Sequence, residues 1–228
     1  MKKTPSEKSK FHNFANYTTR QDIAKFLAKY ELFKKILKIK GSIIECGVHE
    51  GSGLFSWAQF STILEPYNYH RQIIGFDTFQ GFKSIGKIDK KNPLAKKNKF
   101  KEDYNTYENI LRCKKNFDKN RFLNNKEKIV LVKGLAEKTI KNYLKKNKHT
   151  IISLVYIDFD LYKPAMIAIK NFLPLMSKGS IIAFDEVNNP QWPGETEALL
   201  KNFKLKDHKL NSFQFEPNIC YIELGKKS

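Results

Sequence analysis

The amino-acid sequence predicts a single α/β domain built on a doubly wound, mainly parallel β-sheet, and three observations support this fold class. Short apolar runs rich in β-branched residues alternate five times with segments whose apolar residues recur at helical spacing. Two of the runs, Ile151–Ile157 and Ser180–Phe184, are followed directly by acidic residues, as is common at the ligand-binding edge of open α/β sheets. The chain then closes with a predicted hairpin around Glu216-Pro217-Asn218, which adds two further strands.

The elements are predicted in order along the chain. Residues 1–13 are expected to be a disordered basic tail, residues 14–40 an N-terminal helical segment that opens at Thr19 and stops before Gly41, and residues 41–228 the main domain. The strands are predicted at Ser42–Cys46, Gln72–Phe76, Lys128–Lys133, Ile151–Asp158, Ser180–Asp185, Lys209–Phe215 and Ile219–Leu224. The helices are predicted at Leu54–Leu64, Tyr104–Phe117, Ala136–Lys146, Pro164–Met176 and Glu195–Phe203. Gly179 is expected just beyond the end of the fourth of these helices, and Thr78–Asp103 is expected to be a long functional loop.

Composition excludes several classes of protein. The chain of 228 residues is 41% hydrophobic and 13% aromatic, which is typical of a globular domain with a core. It contains no run of about 20 apolar residues that could span a bilayer, and no apolar segment follows the basic N-terminus as a secretory signal would require. Three widely spaced cysteines predict a cytoplasmic protein with reduced thiols. The net charge of +19 permits anionic ligands or nucleic acid, but the lysine-rich composition is general and points to no single partner.

Acidic residues at the ends of two predicted neighbouring strands indicate an enzymatic site. Asp158 and Asp160 follow the fourth strand, and Asp185 and Glu186 follow the fifth. Carboxylates that converge there repel one another unless a cation or a proton lies between them. Because no Cys or His cluster is present, an oxygen-only ligand set favours Mg²⁺, or Mn²⁺ as a substitute. Any one of these acids taken alone is equally well explained as a helix N-cap or a solvated loop residue.

A glycine-bearing turn between the first strand and the next helix predicts a cofactor site. Gly47, Gly51 and Gly53 match neither the P-loop nor the usual dinucleotide pattern. Asp77 ends the second strand, where an acid can accept hydrogen bonds from the two hydroxyls of a ribose. The combination indicates an adenosine-type cofactor without a pyrophosphate, and S-adenosylmethionine (SAM) fits that description.

Four motifs together resemble a known family. The motifs are Glu45-Cys46-Gly47-Val48, Gly75–Phe82 (GFDTFQGF), Asp158–Tyr162 (DFDLY) and Phe184-Asp185-Glu186. In this order they resemble the macrocin O-methyltransferases, which are class I, SAM-dependent and divalent-metal-dependent sugar O-methyltransferases. The segment Asp185–Leu199 is particularly similar to the dTDP-6-deoxy-L-hexose 3-O-methyltransferases of that family. The resemblance implies a seven-stranded Rossmann-like sheet whose last strand is antiparallel.

The resemblance also implies roles for individual residues. Asp158, Asp185 and Glu186 would be the metal ligands, with Asp158 also part of the catalytic and cofactor-binding sets. Asp160 would be the general base, or an acid that supports the ligands. The cofactor would be held by Glu45, Gly47, Val48, Gly51, Asp77, Thr78, Gly134, Ala136 and Asp158, with Glu45, Gly47 and Gly51 at its methionine end, Asp77 at the ribose, and Gly134 and Ala136 beside the adenine.

The expected function is therefore methylation of a sugar hydroxyl, on a nucleotide-linked deoxyhexose or a surface-glycan precursor. A metal-dependent O-methyltransferase of a phenolic small molecule is an alternative with the same chemistry. An RNA methyltransferase is less favoured, because the basic residues are dispersed and no RNA-binding module or aromatic-interleaved strand accompanies them. No membrane partner is expected, and the N-terminal helical segment is a candidate interface for a homo-oligomer.

Overall fold

The computed structural model describes residues 4–225, and seven strands form one sheet. The strands are β1 (Ser42–Cys46), β2 (Ile73–Asp77), β3 (Ile129–Lys133), β4 (Ile152–Ile157), β5 (Met176–Phe184), β6 (Asn211–Phe213) and β7 (Glu216–Glu223). The helices are α1 (Glu7–His12), α2 (Arg20–Ile36), α3 (Ser52–Leu64), α4 (Thr106–Asp118), α5 (Ala136–Lys146), α6 (Tyr162–Phe172) and α7 (Pro193–Asn202).

The strand order is β3-β2-β1-β4-β5-β7-β6, which confirms the predicted doubly wound, seven-stranded fold. Strands β1 to β5 pair in parallel, whereas β7 is antiparallel to both β5 and β6. The chain runs outward from β1 through β2 to β3, and returns to β4 on the other side of β1. The order therefore reverses between β1 and β4, and a crevice is expected outside the carboxyl ends of those two strands.

Two hydrophobic clusters cover the two faces of the sheet, because successive strand residues point to opposite sides. Ile43 belongs to the cluster with α2, α3 and α4, while Ile44 belongs to the cluster with α5, α6 and α7. The strands β1 and β4 are buried along their whole length, which explains their continuous apolar runs. The parallel core is thus a three-layer arrangement that fixes where each strand ends.

Helix α2 packs on the sheet beside α3 and β7. Thr19 and Asp22 form a capping box at its start, in which each side chain accepts a hydrogen bond from the other residue's backbone N–H. Ala28, Leu32 and Phe33 are fully buried against the sheet. The N-terminal helical segment therefore shares the main hydrophobic core.

Some boundaries differ from the sequence prediction. The helix expected to run to Met176 ends at Phe172, because a 3₁₀ turn containing Pro174 follows and β5 already begins at Met176. Gly179 lies inside β5, with a φ of 86°. The expected disordered tail contains α1, which Ser6 caps and which has no buried residue; residues 1–3 lie outside the described part. The hairpin turn lies at residues 214–215, and the expected turn residues 216–218 belong to β7.

The long loop after β2 is largely irregular, as expected, with a single 3₁₀ turn at Asp89–Lys91. It folds back on itself, since Phe82 N donates to Lys99 O at 3.1 Å and Asn98 N donates to Phe82 O at 2.8 Å. Within residues 4–225, no helix has the length and apolar character needed to cross a membrane.

Candidate active site

A cavity of about 740 Å³ opens at the carboxyl ends of the parallel strands, where the strand order reverses. The long loop after β2 forms one wall and α2 contributes to another. All but one of the residues predicted for the site line it: Glu45, Gly47, Val48, Asp77, Thr78, Gly134, Ala136, Asp158, Asp160, Asp185 and Glu186. The exception is Gly51, which precedes α3 and packs toward Ile110 and Phe55.

The turn after β1 requires glycine at position 47. Gly47 has a φ of 96°, in the left-handed region that favours glycine. A β-carbon there would overlap the backbone carbonyl oxygen of Asp158, so the turns after β1 and β4 lie in direct contact. At Gly53 a β-carbon would overlap the Glu45 carboxylate, which lies against the start of α3. These close approaches bring the glycine turn and the first acid-bearing loop to the same cavity.

Asp77 connects the glycine turn to the long loop. Its Oδ2 accepts hydrogen bonds from the backbone N–H groups of Val48 at 2.7 Å and His49 at 2.9 Å. Its Oδ1 accepts from Phe79 N at 2.6 Å, and the Thr78 hydroxyl donates to Gly81 O at 2.9 Å. Asp77 therefore fixes the turn geometry, and its carboxylate still lines the cavity.

Glu45 is a buried acid with an unused acceptor. It is 2% exposed, lines the cavity, and its Oε2 has no hydrogen-bond partner among the described residues. Burial raises the pKa of Glu45 to about 7, against the attraction of the Lys29 ammonium and of the nearby Trp57 indole N–H, which makes no hydrogen bond of full geometry. A buried oxygen without a partner is costly, so this atom is suited to accept a hydrogen bond from a ligand.

Four carboxylates lie close together in the cavity and are called the acid cluster below: Asp158, Asp160, Asp185 and Glu186. Burial, together with Asp185 and Asp160, raises the pKa of Asp158 well above its usual range. Burial and the neighbouring Glu186 and Asp185 raise the pKa of Asp160 to about 7. The pKa of Glu186 is raised by burial and by Asp185. Mutual repulsion of this kind favours a cation or shared protons between the groups.

Asp185 differs from its neighbours because it has cationic partners. Burial disfavours its charge, but the ammonium groups of Lys29 and Lys25 outweigh burial and hold its pKa below the usual value. Lys25 Nζ donates to Asp185 Oδ2 at 2.8 Å, and the Tyr156 hydroxyl donates to Oδ1. Asp185 is thus an ionised carboxylate with both oxygens bonded inside the protein.

The donor chemistry of this set fits a hard divalent ion, since it offers only carboxylate oxygens. The ligand atoms of these carboxylates are farther apart than those of a metal site whose ligands already surround an ion. In the part of the chain that the structure describes, one group of three His, Cys, Asp or Glu side chains has its ligand atoms all within 4.8 Å of one another, and it consists of His49, Glu50 and Glu102. Asp158, Asp185 and Glu186 line one cavity, but their ligand atoms are not all within that distance of one another.

Three charged residues of the site were not anticipated from the sequence. Lys25 and Lys29 project from α2 to the acid cluster, and Glu195 of α7 is buried behind it. Glu195 Oε1 accepts from the backbone N–H groups of Phe159 and Asp160 at 3.0 and 3.1 Å. Lys29 could have been identified from the sequence, because it is a charged residue in the otherwise apolar stripe that contains Ala28 and Leu32. Glu195 carried none, since an acid in the first turn of a helix is ordinary.

Aromatic residues form the outer wall of the cavity. Phe82 and Phe100 line it, with ring centroids 5.4 Å apart. Trp192 packs behind them, 6.1 Å from each ring. Asp89 fastens the same loop to the domain, because its Oδ1 accepts from the backbone N–H of Tyr162 at the start of α6 at 3.0 Å. Phe82 and Phe100 thus add apolar surface to the cavity that the carboxylates also line.

Comparisons with known proteins agree with this arrangement. The family model of the macrocin O-methyltransferases (TylF) matches residues 17–212. The structure of the calicheamicin methyltransferase CalS11 is similar with a TM-score of 0.93 and 32% identity, over 98% of this chain and 88% of that chain. An apo structure of CalS11, described as a TDP-rhamnose 3'-O-methyltransferase of calicheamicin biosynthesis, gives a TM-score of 0.84 and 29% identity over 99% and 89%.

A more distant structure shares the fold alone. The O-methyltransferase NovP is 15% identical, with a TM-score of 0.62 over 88% of this chain and 79% of that chain. A comparison with curated protein sequences gave no match.

Proposed function

The chain belongs to the macrocin O-methyltransferase family and is an O-methyltransferase, and from that premise we propose that it moves the methyl group of SAM to a sugar hydroxyl in a divalent-metal-dependent reaction. The observation that carries the proposal is the cavity in which the glycine turn meets four carboxylates. The proposed acceptor is a nucleotide-linked deoxyhexose, because CalS11, described as acting on TDP-rhamnose, is similar over nearly the whole chain.

The cofactor half of the cavity supports SAM binding. The unpartnered Glu45 Oε2 is suited to accept from the ammonium of the methionine portion, beside the turn that Gly47 keeps open. Asp77 and Thr78 would hold the ribose, and Gly134 and Ala136 would flank the adenine. Asp77 already accepts three backbone hydrogen bonds, but two carboxylate oxygens offer about four acceptor sites.

The acid half supports activation of the acceptor hydroxyl. SAM supplies the methyl group on a sulfonium, and a divalent ion held by Asp158, Asp185 and Glu186 would lower the pKa of the bound hydroxyl. The Asp160 carboxylate would receive the hydroxyl proton as the oxygen–carbon bond forms and the carbon–sulfur bond breaks. Much of the remaining acceleration would come from holding the two substrates in line.

The outer wall supports a sugar nucleotide as acceptor. Phe82 and Phe100 offer apolar faces to a sugar ring or base. Lys83 and Lys163 also line the cavity and would attract phosphates. The homo-oligomer expected from the sequence stays a prediction. The cytoplasmic location expected from the sequence also stays a prediction.

Calorimetric titration with S-adenosylhomocysteine (SAH), with and without Mg²⁺, tests the cofactor and metal separately. The wild-type protein, Asp158→Asn and the exposed control Asp207→Asn would be compared. We expect micromolar SAH binding in all three, and loss of Mg²⁺ binding in Asp158→Asn alone. Absence of SAH binding by the wild-type protein would contradict the proposal.

Methyl transfer to TDP-rhamnose then tests the acceptor, with the methylated position assigned by NMR. A catechol is the matched phenolic acceptor. Turnover of the catechol with none of TDP-rhamnose would favour the phenolic alternative. Turnover of TDP-rhamnose that disappears on chelation and returns with Mg²⁺ is the expected result.

A further inference from the structure

The side chain of Lys25 already pairs with one carboxylate of the acid cluster. The ammonium of Lys25 lies 2.8 Å from Asp185 Oδ2, while the Tyr156 hydroxyl donates to the other oxygen. The side chain of Asp185 is 4% exposed, whereas that of Lys25 is 43% exposed. The carboxylate is therefore fixed within the protein, and its cationic partner extends to it from the cavity mouth.

The two lysines of α2 differ in how firmly they are held. Lys29 lines the cavity but is only 6% exposed, and its ammonium is held 3.9 Å from the centroid of the Tyr156 ring by a cation–π contact. Lys25 lies one turn nearer the helix start and reaches Asp185 with a long, flexible and partly solvated side chain. Of these two lysines, Lys25 is the one that can move into solvent without creating a cavity in the protein.

We propose that Lys25 is an exchangeable counter-cation of the acid cluster, which holds Asp185 until a divalent ion displaces it and which thereby sets the metal affinity of the site. The inference rests on the metal dependence of the proposed function. It agrees with the geometry, because the ligand atoms of Asp158, Asp185 and Glu186 are not all within 4.8 Å of one another while the Lys25 ammonium pairs with Asp185. A divalent ion and an ammonium repel each other strongly at one carboxylate.

The displaced ammonium has an acidic residue within reach. Asp22 precedes Lys25 by three positions on α2, lines the same cavity and interacts electrostatically with it. Residues three apart on a helix are neighbours on its surface. Exchange therefore moves Lys25 from Asp185 toward Asp22 and the solvent, and requires no change in the helix.

Titration with Mn²⁺ in the presence of SAH, followed by electron paramagnetic resonance of the free ion, measures the affinity without an assay of activity. Lys25→Met removes the competing charge, and we expect about tenfold tighter Mn²⁺ binding. The control is Lys34→Met, since Lys34 lies on the same helix, is also 43% exposed and pairs with Glu31 at 2.7 Å. Lys34→Met is expected to bind Mn²⁺ within twofold of the wild-type protein.

Lys25→Arg keeps the charge and protects the test against misfolding of the Met variant. The planar guanidinium of arginine can form a bidentate ion pair with a carboxylate, and Mn²⁺ would displace it less easily than the lysine ammonium. We therefore expect Mn²⁺ binding at least threefold weaker than in the wild-type protein. Unchanged or weaker Mn²⁺ binding by a folded Lys25→Met variant would overturn the inference and leave the proposed function standing. Absence of Mn²⁺ binding by every variant, with SAH still bound, would overturn both the inference and the metal dependence.

Discussion

At the scale of single residues, the acids of this protein perform two distinct tasks. Asp77, Asp89 and Glu195 accept hydrogen bonds from backbone N–H groups and thereby hold loops in place. The four acids that follow β4 and β5 line the same cavity, and no backbone N–H group of the described residues donates to their carboxylates. Both groups are buried to similar degrees, so burial alone does not distinguish them. The hydrogen-bond partners do, since backbone N–H groups hold the first three acids, whereas the Lys25 ammonium and the Tyr156 hydroxyl hold Asp185.

Glu195 is expected to position the acid-bearing loops. Its Oε2 also accepts from the backbone N–H of Glu186 at 3.3 Å, so one carboxylate joins the loops that follow β4 and β5. In Glu195→Gln an amide donor would face backbone donors. We expect stability to fall by about 1–3 kcal/mol, with Mn²⁺ affinity at least tenfold weaker and SAH affinity within about threefold.

The matched control is Glu197→Gln on the same helix, where the residue is half-buried and its carboxylate accepts no hydrogen bond from the described residues. Its effect on stability should stay within about 0.5 kcal/mol. A folded Glu195→Gln variant that is destabilised but binds Mn²⁺ normally would show that Glu195 supports the fold and not the site.

Alanine substitutions at Gly47 and Gly51 would distinguish the effect of backbone strain from that of steric overlap. Both have φ near 95°, so alanine at either position costs about 1–3 kcal/mol of strain. Only at Gly47 does the new β-carbon overlap a backbone atom, the carbonyl oxygen of Asp158; at Gly51 the nearest atom lies 3.3 Å away. We expect Gly47→Ala to lose more stability in urea denaturation and most of its SAH affinity. Equal SAH binding by the two variants would contradict the assigned role of the turn.

At the scale of elements, α2 belongs to both the core and the site. Its buried stripe contacts the sheet, and the adjoining turn carries Lys25 and Lys29 to the carboxylates. The long loop after β2 is comparable, because aromatic packing and Asp89 attach it to the domain while its inner face lines the cavity. Elements outside the alternating β/α pattern thus complete a site whose centre lies within that pattern.

Phe33→Ala tests how far α2 supports the fold. Phe33 is fully buried and packs edge-on against Phe60 of α3, with ring centroids 5.9 Å apart. We expect a loss of about 3–5 kcal/mol in the free energy of unfolding, which is a large share of the stability of a typical domain. Leu27→Ala on the same helix is the control, since Leu27 is 44% exposed. Similar small losses in both variants would show that α2 is an appendage.

At the scale of the whole molecule, the basic composition places a lysine in the interior, where its burial lowers the stability of the fold. Lys128 is 4% exposed and its ammonium donates to Asn68 O at 2.8 Å. Burial lowers the pKa of Lys128 to about 8, and the neighbouring Arg71 and Arg121 act in the same direction against Glu65. A lysine with a lowered pKa destabilises the fold fully below about pH 8. The cost disappears as pH rises toward the unfolded value of 10.5.

Lys128→Met is therefore expected to stabilise the protein at pH 7 by about 1–2 kcal/mol, after allowance for the lost hydrogen bond. The difference from the wild-type protein should shrink between pH 8 and pH 10.5, because the unfolded chain alone binds that proton in this interval. Urea denaturation across this range measures it, with the exposed Lys141→Met as control. A difference independent of pH would mean that the Lys128 ammonium is solvated in the folded protein.

The sequence by itself determined the order of the elements and which acids and glycines stand at the strand ends that meet at the cavity. Periodicity located the five parallel strands, and the acids and glycines at their ends had to meet because parallel strands end at one edge. It did not determine that Lys25 meets Asp185, which is 160 positions away, or that Glu195 holds the loop after β4. A local pattern specifies which face of an element is buried, but the partner across that face depends on how distant elements pack. The cations and the positioning acid of this site were therefore decided by the tertiary structure alone.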